Sequence, residues 1–159
     1  MWFFMITCYL FSILSFFMLL LTGLQGYFHF LIFHANHPTF ALLTVIIYLF
    51  TETLVIFFFV GMGVSIRDYS QSNRLDAKFH RSSIAIKRIV YPPLLLNILL
   101  VMMLFVSGGA VDTHRMPGWM HGILFLICII HFFKVIKIQH KCFKENTTLI
   151  LEMSGVQRP

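Results

Sequence analysis

Charge is what this chain has least of. Of its 159 residues only 11% are charged and six are acidic, while 58% are hydrophobic and 19 are phenylalanine. A soluble domain with that balance would expose far more apolar surface than a monomer in water does, which excludes one. Cysteine is also scarce. Cys8, Cys128 and Cys142 form no CxxC, CxxCH or other metal-binding spacing, so covalently attached c-type haem is excluded. Two of them fall in apolar stretches and the third in a polar tail, and no structural disulfide is expected. Internal repeats, low-complexity segments and fixed-spacing metal motifs such as HExxH are missing. There is no soluble basic domain either, so the formal net charge of +6 does not point to nucleic acid.

What the chain has is long apolar runs. A membrane span needs on the order of 20 mostly apolar residues. Residues 2–28, 38–66, 89–107 and 119–136 meet that length or approach it. Lipid offers no partner to a free N–H or C=O, so each run is expected to be helical. The sequence predicts an all-α, single-domain, integral membrane four-helix bundle over 1–159. The first run has the position and the Phe and Leu content of a secretory signal. No Lys or Arg precedes it and no small-residue cleavage pattern follows within Thr22–Tyr27, so it is read as a retained helix.

Lysine and arginine set the expected orientation. Arg67, Arg74, Lys78, Arg81, Lys87 and Arg88 lie between the second and third runs, and Lys134, Lys137, Lys141, Lys144 and Arg158 close the fourth and follow it, which leaves Arg115 alone on the other side. The positive-inside rule places loop 67–88, tail 137–159 and both termini in the cytoplasm, as in a bacterial inner membrane, with 29–37 and 108–118 outside. The basic face then holds orientation and touches anionic lipid. Within the loop, Asp68 to Asp76 reads as a turn and Leu75 to Ile86 as a short interfacial helix. Pro92 and Pro93 are expected within the first turn or so of the third span, where a missing N–H is harmless.

Five of the eight histidines, His29, His34, His37, His114 and His121, fall on the outer side. Neutral imidazoles can ligate iron, copper or zinc beside apolar helices without burying a net charge. His37 precedes the proline that opens the second helix, and His121 lies about one turn into the fourth. The two therefore share a depth, and they are the candidate axial pair of a b-type haem or part of a copper site. His29 is held in reserve, His34 and His114 read as solvated loop residues, and His140 as solvated beside Lys141. Gly108, Gly109, Gly118 and Gly122 would let backbone approach a flat macrocycle.

A second set lies deeper. With a rise of about 1.5 Å per residue, Glu52, Asn97 and His131 come near mid-depth, within roughly 6 Å of one another along the membrane normal. An intramembrane carboxylate is costly and usually functional. Glu52 reads either as a proton relay or quinone-hydroxyl site with Asn97 and His131, or as a structural helix–helix contact. His121 and His131 are separated by about 15 Å of rise, so they cannot share a metal. Haem at both would mean two haems at different depths.

The stretch Lys87-Arg-Ile-Val-Tyr-Pro-Pro93, the apolar helix after it, and Gly118-Trp-Met-His121 with His131 beyond resemble the HemJ-type protoporphyrinogen oxidases and the related CopD-like membrane proteins. The resemblance covers about residues 37–135. It implies a haem-binding helical bundle, or copper handling in the CopD branch, with His37, Arg88 and His121 as the carried-over site residues. Two departures stand out: Ile123 occupies the position of a lysine in the HemJ pattern, and that pattern lacks an intramembrane glutamate like Glu52. The function expected is a membrane-embedded, haem b-binding electron-transfer subunit of a larger complex, exchanging electrons with quinone or an external partner. The alternatives are a HemJ-like oxidase and a copper-handling or non-redox accessory subunit.

Overall fold

The structure is a computed structural model and describes residues 2–155. Among the described residues the chain forms four helices, α1 (Trp2–Phe28), α2 (His37–Ser72), α3 (Lys78–Asp112) and α4 (Gly118–Met153). The only other backbone pairing outside the helices and their ends is an isolated bridge between Ile32 and Ala35. All four helices are long and apolar enough to cross a membrane. Large apolar side chains such as Phe3, Ile130 and Val106 point outward, which suits lipid contact and would be untenable over this area in water. The chain is a multi-pass integral membrane protein.

Each helix packs on its sequence neighbours, and α1 and α4 close the ring with the sparsest seam. The arrangement is an up-and-down bundle in which α2 faces α4, and α1 faces α3, across the axis. The start of α1, the 73–77 turn and the end of α4 share one end. Loops 29–36 and 113–117 share the other. Between α1 and α2, Ser15 bonds Thr51 and Thr22 bonds Thr44, each at 2.7 Å. Such hydroxyl pairs hold helices together where lipid removes any hydrophobic drive for association.

The helices outrun the apolar segments. At 36 residues, α2 and α4 are each about 54 Å long, against a hydrocarbon core of about 30 Å. Three expectations are corrected here. The separate interfacial helix over Leu75–Ile86 is instead the first part of α3, with the turn confined to 73–77. That turn is closed by Leu75 N–H bonding Ser70 C=O at 2.9 Å and by Asp76 Oδ1 accepting from Lys78 N–H at 2.9 Å. Pro92 and Pro93 accordingly lie inside α3 rather than in its first turn, where they deprive the carbonyls of Arg88 and Ile89 of their helical donors. Finally, the polar tail is helical to Met153 and packs through Cys142, Phe143 and Leu149 into the core. His140 is therefore not simply solvated: its Nδ1 bonds the Tyr9 hydroxyl of α1 at 2.8 Å. Arg158 lies outside the described residues.

Two apolar clusters fill the bundle. One, around Val55, Phe58, Phe59 and Phe143, occupies the end bearing the 73–77 turn; the other, around Tyr48, Val101, Leu104 and Phe132, occupies the opposite half. A polar layer separates them.

Candidate functional site

At the end formed by the 29–36 and 113–117 loops, the four helices splay around a mostly apolar cavity of about 1290 Å³. Ordinary small-molecule sites run about 300–1,000 Å³, so this one suits a larger occupant. His37 and His121 both line it. Asn36 caps α2, its Oδ1 accepting from Thr39 N–H at 3.1 Å, and this fixes where the helix, and His37 with it, begins. His121 sits on the first turn of α4. The two rings come from helices on opposite sides of the axis, with centroids 6.4 Å apart and planes at 82°.

Each ring rests on a glycine of an adjacent helix. A Cβ at Gly26 of α1 would come 2.9 Å from His37 Cε1, and one at Gly108 of α3 would come 3.3 Å from His121 Cε1. A side chain at Gly26 would force the His37 imidazole to shift, whereas one at Gly108 would ask His121 to give by only a few tenths of an ångström. Gly109 and Gly122 have open space where a side chain would be, and Gly118 meets only Val111 Cγ1 at 3.9 Å.

Ser107 Oγ lies 2.7 Å from the Leu104 carbonyl and 2.8 Å from His121 Nδ1. With the serine proton on the carbonyl, Oγ accepts from a protonated Nδ1, the arrangement that leaves Nε2 its lone pair. Such a hydrogen bond on the far nitrogen is how proteins orient a ligating histidine. His37 Nδ1, by contrast, is buried without a partner, and so is Oε1 of Gln25, whose amide nitrogen donates to Ala35 C=O at 2.7 Å. Gln25 is fully buried and lines the same cavity. Gln25-Gly26 in the first helical hairpin and Ser107-Gly108 in the second occupy corresponding positions near the two histidines, but only Ser107 bonds its imidazole.

The other outer histidines separate from this pair. His29 lines the cavity but is exposed, in left-handed conformation (φ 56°) just past α1. His34 (φ 62°) and His114 (φ 56°) occupy exposed turn positions and do not line the cavity. Arg88 is exposed on α3, nineteen residues or about 28 Å of rise before Ser107, so it does not reach the outer pair.

In the polar layer the structure joins Glu52, Asn97 and His131. Asn97 Nδ2 donates to Tyr48 Oη and, at 3.2 Å, to Glu52 Oε1. Its Oδ1 lies 2.9 Å from His131 Nδ1, and since Oδ1 can only accept, that nitrogen carries the proton. Gln139 Nε2 donates to Glu52 Oε2 at 3.1 Å. Glu52, Asn97 and Gln139 are all buried. Glu52 thus faces donors on both oxygens, which is the environment a carboxylate needs when no cation is beside it. The two ion pairs among the described residues, Arg67–Asp68 and Lys141–Glu145, lie elsewhere.

Sequence reasoning missed Gln25, Tyr48, Ser107 and Gln139. A polar residue inside an apolar run, as Gln25 and Ser107 are, was the available signal; Gln139 lay beyond the span drawn for α4. Among the described residues no group of three or more His, Cys, Asp or Glu could hold a metal ion. Comparison of the chain with protein-family models, with curated proteins and with solved structures finds no match.

Proposed function

We propose that this protein is a b-type haem-binding electron-transfer subunit of a larger membrane redox complex, in which His37 and His121 would hold the haem. The observation that carries the reading is the opposed pair of imidazoles across one apolar cavity. The two ring centroids lie 6.4 Å apart, a separation at which both residues could hold one group between them. Two protein ligands suit a metal whose remaining ligands come from a macrocycle, whereas a bare copper or zinc site calls for a third.

Bound there, the haem would supply one-electron chemistry. The chain's own residues do the rest. Ser107, 2.8 Å from His121 Nδ1, would hold that ring in the ligating tautomer by accepting from Nδ1, while Gln25 Oε1 and His37 Nδ1 are each buried without a partner beside the same cavity. Glu52, Asn97 and His131 provide a hydrogen-bonded route for a proton accompanying the electron, or a polar contact for a quinone hydroxyl. The basic end of the bundle faces the cytoplasm in this reading, and quinone or an external redox protein is the electron partner.

The test is an absorption spectrum of protein produced with ample haem. A Soret band with bis-imidazole character is expected. Both His37→Ala and His121→Ala are expected to lose it while still inserting into the membrane. Wild-type protein without a Soret band, or spectra unchanged in both variants, removes the reading.

A further inference from the structure

A second cavity, of about 240 Å³, lies at the opposite end of the bundle in the α2–α3 turn. Its walls carry Arg67, Arg74 and His80, together with Ser70 and Gln71, and no acidic residue. It begins one residue past Ile66, where the apolar part of α2 ends, and so falls at the level where lipid headgroups meet a spanning helix.

The acidic groups nearby are already engaged. Asp68 Oδ1 takes only Nε of Arg67, at 3.0 Å, and leaves the other guanidinium nitrogens free. Asp76 turns its Oδ1 onto the Lys78 backbone N–H. His80, which lines the pocket, has its Nδ1 buried without a partner. Arg74 enters no ion pair among the described residues and holds its backbone at φ 52°, a left-handed conformation uncommon outside glycine. Two guanidinium groups, an imidazole with an unpartnered nitrogen and the Gln71 amide make a donor-rich set that matches the oxygens of one phosphate, with the Ser70 hydroxyl engaged on the Asp76 carbonyl at 3.5 Å.

We propose that the α2–α3 turn is a binding site for a phosphate group, gripped by Arg67, Arg74 and His80. The group can arrive on an anionic lipid headgroup or as free phosphate. The site is independent of the haem reading, at the other end of the molecule.

Full-length protein in maltoside detergent tests this in two arms. In one, inorganic phosphate is titrated and thermal unfolding followed; in the other, retention of phosphatidylglycerol against phosphatidylcholine is read by native mass spectrometry. Saturable stabilisation by phosphate, or selective retention of one phosphatidylglycerol, is expected, and the responding arm identifies the source. Combining Arg74→Ala with His80→Ala is expected to weaken that binding about tenfold, since each removes a charged or unpaired hydrogen-bond partner. Arg81→Ala, an exposed cation outside the pocket, serves as the control and should change it less than twofold. Arg74→Gln, which keeps the stem and removes the charge, stands in if the double variant does not fold. No response in either arm, or equal losses in the pocket and control variants, overturns the proposal.

Discussion

A carboxylate in the middle of a membrane bundle is tolerated only if its surroundings replace water, and Glu52 meets that condition with amide donors from α3 and α4. The two amides are not equally replaceable. Asn97 serves Tyr48, Glu52 and His131 at once, so Asn97→Ala orphans several buried groups and should cost about 2 kcal/mol or more in unfolding measurements. Glu52→Gln is gentler, because Gln139 can turn its amide to present oxygen to the new NH₂. That variant should fold normally and slow proton-coupled reduction of bound haem by a quinol analogue; equal rates would reduce Glu52 to a packing residue. Counting residues from the span ends was enough to place Glu52, Asn97 and His131 at one depth. It could not find Tyr48 or Gln139. Rise along an axis is legible in a sequence, but which way a side chain points around that axis depends on how neighbouring helices are turned.

At the level of helices, the molecule is two α-hairpins offering the same device, a polar residue and a glycine near the end of the first helix and a histidine at the start of the second. The fit is tighter at Gly26 than at Gly108, since the added Cβ would lie 2.9 Å from its imidazole in one case and 3.3 Å in the other. Gly26→Ala should therefore displace His37 and lower haem retention severalfold, with Gly108→Ala milder; the Soret absorbance per protein measures both, and the reverse order would mean that ring seating does not govern the site. The four spans themselves were plain from hydropathy. Their true lengths were not, because residues such as Lys78 to Arg88 and Lys137 to Met153 look like loop and tail to a hydropathy window. They are helical because Ile86, Cys142, Phe143 and Leu149 find a core to bury against. Pro92 and Pro93 misled for the same reason: an expected helix start was in fact a helix interior.

For the whole molecule, the lysines and arginines other than Arg115, the mid-helix Lys134 and Arg158 gather on the half that carries the 73–77 turn. If that half is cytoplasmic, Thr113→Cys should react with a membrane-impermeant maleimide on intact cells and Ser72→Cys should not. The native Cys8, Cys128 and Cys142 are fully buried and give little background. The opposite pattern would invert the protein and turn the histidine pair toward the cytoplasm. One further consequence comes from the way the outer cavity is shared. Each hairpin brings one histidine with its glycine seat, and the seam between α1 and α4 is the sparsest in the ring. A ligand held by both histidines would act as a clasp between the two hairpins. Its supply would then decide how firmly the halves stay docked, with a stabilisation that grows with the logarithm of ligand concentration over its dissociation constant.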